Sequence, residues 1–176
     1  MSKKHKTTQA VEGSYNDLLH LIATVPIPAR TEKFVAKDNF VVDTGKKARV
    51  KISYLGDNFR KHFLGKNEEP ASEITLSCHK LKKFSRDIPI ISELGGKDKA
   101  ETTLFAMFAL MEMQPSGGIE TLLTNGKANI FYIRDLAGVL WAVFCYWRDG
   151  GWGVGASSVG SPLVWGGGDL AFSCNS

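Results

Sequence analysis

Residues 139–148 carry the clearest hydrophobic pattern in the chain: Val139-Leu140-Trp141-Ala142-Val143-Phe144-Cys145-Tyr146-Trp147-Arg148. Side chains of an extended strand alternate between two faces. Val139, Trp141, Val143, Cys145 and Trp147 fall on one face, and Leu140, Ala142, Phe144 and Tyr146 on the other. Both faces are apolar, whereas a half-exposed antiparallel strand alternates apolar with polar. The pattern predicts a strand central in its sheet, covered on each side by its own chain or by a partner. Turn chemistry surrounds it. Asn125-Gly126 predicts a hairpin between the β-rich runs 119–124 and 128–134, because a type I′ turn needs positive φ at both central residues. Asp135-Leu136-Ala137-Gly138 suits a four-residue turn, and Asp149-Gly150-Gly151 a second primed turn. Residues 119–159 therefore read as a four-strand meander, with Trp147 and Trp152 paired across its last turn.

Elsewhere the spacing changes. Ala100, Leu104, Phe105, Phe108 and Met111 recur at helical intervals, and Met107, Leu110 and Met113 widen the stripe. Asp98 and Glu101 resemble a capping box, and Pro115-Ser116-Gly117-Gly118 is a stop. This predicts the main helix over about 99–114. Tyr15, Leu18, Leu19, Ile22 and Val25, behind Ser14 as cap, predict an N-terminal helix over about 14–25, ended by Pro26 and Pro28. Phe40-Val41-Val42 is β-rich. Ala48, Val50, Ile52 and Tyr54 alternate with Arg49, Lys51 and Ser53, as in a half-buried strand. Phe59 and Phe63 would dock a short helix capped by Asp57 or Asn58, leaving Arg60, Lys61 and His62 outward. Residues 74–79 and 170–174 read as further strands. Pro89 restricts Ile88-Pro89-Ile90-Ile91 to an edge or extended coil. The expected fold is α+β: an antiparallel meander sheet of about six or seven strands, packed by the main helix and the N-terminal one.

Composition adds bounds. At 176 residues the chain suits one domain, read as a disordered basic tail over 1–13 and an α+β domain over 14–176. The net charge of +4 is too mild to demand an acidic partner. Lys46-Lys47, Arg60-Lys61 and Lys82-Lys83 read first as solvated turns, and alternatively as a nucleic-acid footprint. Cys78, Cys145 and Cys174 match no metal or redox spacing, which suits a reducing, cytoplasmic setting. No apolar run reaches the roughly 18 residues of a membrane span, so no membrane partner is expected. The polar, basic first ten residues do not read as a signal peptide.

Chemical motifs are sparse. There is no nucleophile elbow, Walker loop or zincin helix. Gly151-Trp152-Gly153-Val154-Gly155 matches a dinucleotide fingerprint only in composition, since it sits in a predicted hairpin. Cys78 and His79 are adjacent on a predicted strand, so they face opposite ways. No catalytic residue, metal ligand or cofactor is expected. The unusual feature is aromatic: Trp141, Tyr146, Trp147, Trp152 and Trp165 all lie in the last third. Such residues pack cores, form partner or self-association surfaces, or stack planar ligands. The expectation is a non-enzymatic binding or accessory module acting through these five residues on an unknown protein partner or a second copy. One alternative is a small cytoplasmic enzyme or ligand-binding protein with a pocket between helix and sheet. Another is nucleic-acid binding through Lys46, Lys47, Arg60, Lys61, Lys82 and Lys83.

Overall fold

The computed structural model describes residues 17–118 and 121–174. In chain order its elements are β1 (Leu19–Ile27), β2 (Phe34–Val35), α1 (Ala36–Asn39), β3 (Ile52–Leu55), α2 (Asp57–His62), β4 (Asn67–Glu68), β5 (Ile74–Leu81), α3 (Asp87–Glu93), α4 (Lys97–Ala100), α5 (Leu104–Met113), β6 (Asn129–Arg134), β7 (Leu140–Arg148), β8 (Gly151–Ser158) and β9 (Leu170–Cys174). Seven strands form one sheet in the order β1-β5-β9-β6-β7-β8-β3, and β2 pairs with β4 apart from it. The fold is α+β, as expected, but the sheet is mixed. β9 inserts between β5 and β6 and runs parallel to β6, while β3 adds at the edge parallel to β8.

The central strand is β7, flanked by β6 and β8. Its own chain covers both faces. Val143 and Cys145 join the larger core, beneath α5. Leu140 and Ala142 join a smaller one with Ile90 and Ile91 of α3 and Ala100 of α4. The turn at Asp149-Gly150 is left-handed at both residues, with φ of 55° and 74°. It fixes the register, with Trp147 opposite Trp152 and the two rings edge-to-face at 5.2 Å.

Several expectations are corrected. The meander has three described strands, not four. Ile119 and Glu120 lie outside the described residues, and Leu122 and Leu123 do not join the sheet. Side-chain amides take the backbone groups a ladder would use. Gln114 binds both the N–H and the C=O of Leu122, at 2.7 and 3.1 Å, and Asn129 does the same for Leu123 at 2.8 and 3.1 Å. The N-terminal helix is instead the edge strand β1, antiparallel to β5. Tertiary pairing and the β-branched Ile22, Thr24 and Val25 outweigh the helical spacing. The disordered tail and Ser14 lie outside the described residues. The main helix divides, because the Thr102 N–H bonds to the Tyr132 carbonyl at 2.7 Å and Thr103 caps the Ala106 N–H at 3.1 Å. Pro89 sits in the first turn of α3, where its missing N–H has no helical partner to lose. Phe40-Val41-Val42 follows α1 and forms no strand. The α2 N-cap is Gly56, with neither Asp57 nor Asn58 in that position. Among the described residues no helix is long and apolar enough to cross a membrane.

Candidate binding face of the sheet

The two faces of the sheet are covered unequally. On the first, α5 buries Leu104, Met107, Phe108, Leu110 and Met111 against β strands that include the stacked pair Phe131 and Phe172, 4.6 Å apart. On the second, the apolar cluster under α3 and α4 ends at Leu140, Ala142 and Trp165, with Phe144 at its border, and includes no residue of β8 or β3.

Past that border, the alternation of Gly151-Trp152-Gly153-Val154-Gly155 decides the surface. Trp152 and Val154 enter the larger core, leaving Gly153 and Gly155 on the second face. Gly153 has Tyr146 across from it on β7 and Tyr54 on β3; Gly155 has Phe144 across from it. A methyl group at Gly153 would lie 2.5 Å from the Tyr146 ring, and one at Gly155 2.5 Å from the Phe144 ring. Both rings therefore lie down across β8, using the space a side chain would fill. Phe144 and Tyr146 are 6.2 Å apart and nearly parallel, and Phe144 meets Trp165 edge-on at 5.2 Å. Tyr54 is 53% exposed. The simple alternation would bury it with Ile52, but a register shift between Ile52 and Tyr54 turns it to the second face. The result is a row of rings, Tyr54, Tyr146 and Phe144, closed at its inner end by Trp165.

The polar surroundings are basic. Lys51 and Arg148 stand at one end of these strands, with Lys46 and Lys47 in the loop before β3; Arg60 and Lys61 stand at the other end, on α2. Among the described residues, none of Lys46, Lys47, Lys51, Arg60 and Lys61 has a carboxylate within ion-pairing distance, and Arg148 has Asp149 at 3.7 Å. Lys82 and Lys83 follow β5, five strand positions from β3, or about 24 Å. Lys82 pairs with Asp17. Four of the six basic residues named from the sequence are thus brought around the open end of the sheet, and two are not.

The five aromatic residues named from the sequence are dispersed. Tyr146 lies on the open face. Trp152, 0% exposed, donates its indole N–H to the Gln114 carbonyl at 3.1 Å, and Trp147 packs between it and Gly117 on the first face. Trp141, also on the first face, donates to Asp135 at 2.9 Å and stacks on His62 at 4.4 Å. Trp165 is 5% exposed. Its indole N–H and the Tyr132 hydroxyl both donate to Asp87 Oδ1, at 2.7 and 2.9 Å. Asp87 is fully buried and its Oδ2 has no partner, so burial raises its pKa despite the two donors. Tyr54 and Phe144 were not singled out as site residues. The signal for Phe144 was its place beside Tyr146 opposite glycines; for Tyr54 there was none, because a bulge decides its face.

A second feature is a cleft of about 350 Å³ at the start of α5, lined by Ile27, Arg30, Lys66, Glu68, Glu101 and Phe105 among others. Its charges are engaged with one another and with the backbone. Glu68 accepts the Leu104 and Phe105 N–H groups at 2.8 and 3.0 Å, Lys66 lies 3.7 Å from Glu68, and Glu101 pairs with Arg134 at 2.9 Å. The Arg30 guanidinium lies over the Phe105 ring at 4.2 Å. Thiol chemistry is disfavoured, since burial pushes the Cys78 thiol up to about 12 and raises Cys145 and Cys174 as well. Among the described residues, no three His, Cys, Asp or Glu side chains stand close enough to share a metal ion. Compared with known proteins, the chain matches no family model, no curated protein and no solved structure.

Proposed function

We propose that the protein is a non-enzymatic binding module and that its contact surface is the open half of the second face, carried by Tyr54, Tyr146 and Phe144. The supporting observation is the pair of rings lying flat on Gly153 and Gly155 where the helical cover ends. Rings held flat present their π-faces outward, which suits a planar or extended partner group. Of the five aromatic positions expected to bind, this reading keeps Tyr146 and treats the four tryptophans as framework. The three free cysteines accord with a reducing, cytoplasmic setting. Titrating the isotope-labelled protein with small planar aromatic compounds should shift amide resonances of residues 53–55, 144–146 and 153–155. Shifts confined to other surfaces would remove the reading.

A second reading rests on the cleft at the start of α5. Lys66, Glu68 and Glu101 converge there on an apolar floor of Ile27 and Phe105, the composition of a small-molecule pocket. It lies at the rim of the helix, whereas the space between α5 and the sheet is filled by side chains. Resonance shifts at residues 66–68 and 101–105 in the same titration would favour it.

A further inference from the structure

We infer that the occupant of the ring-bearing face is a single-stranded nucleic acid, an inference that rests on the platform proposed above. Two independent features agree. The rings of Tyr54, Tyr146 and Phe144 offer successive stacking surfaces, and every base has a π-face to stack on them. The strands that carry the rings end in cations: Lys51 and Arg148 at one end, with Lys46 and Lys47 beside them, and Arg60 and Lys61 at the other.

Charge complementarity selects this partner class. Asp43 is held by the Gly45 amide at 2.8 Å, and Asp149 lies 3.7 Å from Arg148. Exposed Asp57 is the other carboxylate at the ends of these strands. The ring row itself carries no charge. Its neighbours on the face, Ser53, Gly153, Gly155 and Ser157, are small and neutral. An acidic protein would meet the cations but would leave flat rings facing ordinary side chains. A strand of nucleotides supplies negative charge and planar groups at the same short repeat. Duplex bases are hidden in their own stack, and a sheet face reaches only bases that are unstacked. The eight residues of β8 span about 26 Å. That length matches the smaller single-strand sites, of about four nucleotides.

The test is fluorescence anisotropy with labelled 12-nucleotide oligo-dT and oligo-U, in a salt series from 50 to 200 mM. Binding at low salt should weaken with rising salt, as phosphate contacts release counterions. Tyr54→Ala should weaken it about tenfold, while Tyr54→Phe, which keeps the π-face, should restore it. Tyr54 is half-exposed, so circular dichroism should show both variants folded. The double variant Lys46→Ala, Lys47→Ala should flatten the log–log salt slope by about 1. Absence of binding to either oligonucleotide at 50 mM salt overturns the inference, and so does binding that is unchanged in Tyr54→Ala. Equal competition by duplex of the same length also overturns it, because duplex cannot stack on the rings. If planar compounds still shift the platform resonances while the oligonucleotides fail, only the nucleic acid falls and a protein partner takes its place. If neither reaches the face, the platform falls as well.

Discussion

The second face of the sheet has two halves built from the same residue class in opposite ways. Under α3 and α4, Tyr132 and Trp165 are buried with their polar heads tied to one carboxylate, Asp87. Over β8 and β3, Tyr54 and Tyr146 have no such tie, and Tyr146 rests on the bare backbone of Gly153. In the covered half, a buried carboxylate needs donors, so the aromatic heads are fixed and the rings serve packing. In the open half, glycine removes the side chain that would compete for space, so the ring is supported without being enclosed. Aromatic content alone therefore says nothing about use. What lies under the ring, and whether its head is bound, decides it.

The contrast is most strongly broken by Trp165→Ala. Loss of a buried indole costs about 3–5 kcal/mol in comparable cores, and here it also strips Asp87 of its 2.7 Å donor. Denaturant unfolding should show a drop of this size. A drop below about 1 kcal/mol would mean that the covered half is packed no better than the open one.

A smaller effect should appear as a trend with pH. Burial raises the Asp87 pKa, so the folded state holds a proton that the unfolded chain has released. Between the ordinary carboxylate value, about 3.9, and the raised one, the folded state binds more protons, and stability must fall as pH rises. Below that window the contribution is fully present; above it the loss is complete. In Asp87→Asn this fall should vanish, leaving a flatter profile of unfolding free energy against pH. An identical slope in wild type and Asp87→Asn would show that the carboxylate does not bear the burial penalty.

These two halves were unequally legible. The turn residues of 135–138 and 149–151 and the double apolar face of 139–148 placed β6, β7 and β8 with little ambiguity, because hairpin chemistry is local. The edge strand β1 was read as a helix, since its apolar spacing fits 3.6 residues per turn and its β-pairing depends on β5, some fifty residues away. The start of α5 was missed for the same reason, as Glu68 reaches it from a distant loop. The aromatic residues were noticed, but tryptophan drew the attention that belonged to Tyr54, Phe144 and the glycines. A single register shift sends Tyr54 outward, and no pattern of period two can encode an irregularity in that period.

Glycine substitution sharpens the contrast at lower energy. Gly153→Ala would place a methyl group 2.5 Å from the Tyr146 ring. The obstacle is the free end of a half-exposed side chain, so the ring can lift, and the cost should be about 1 kcal/mol. Gly117→Ala is the control on the opposite face. Its added methyl group would meet the Trp147 indole at a position with φ of 74°, and that indole is held against Trp152. The same substitution should cost about 2–3 kcal/mol there, from strain and overpacking together. Equal costs at the two sites would show that Tyr146 is as confined as Trp147.

The smallest expected effect is the most telling. Tyr54→Ala removes a ring that is 53% exposed on an edge strand of four residues. Surface substitutions of this kind stay within about 0.5 kcal/mol, so the unfolding curve should barely move. If the ring's role is to face a partner, the loss should appear instead in the titration with planar compounds, as weaker shifts at residues 144–146 and 153–155. The two readouts separate the alternatives cleanly. A large loss of stability would place Tyr54 in the framework with Trp152 and Trp165. An unchanged stability with unchanged shifts would leave the open half without a function for its outermost ring. Unchanged stability with lost shifts is the outcome that a supported but unenclosed ring requires.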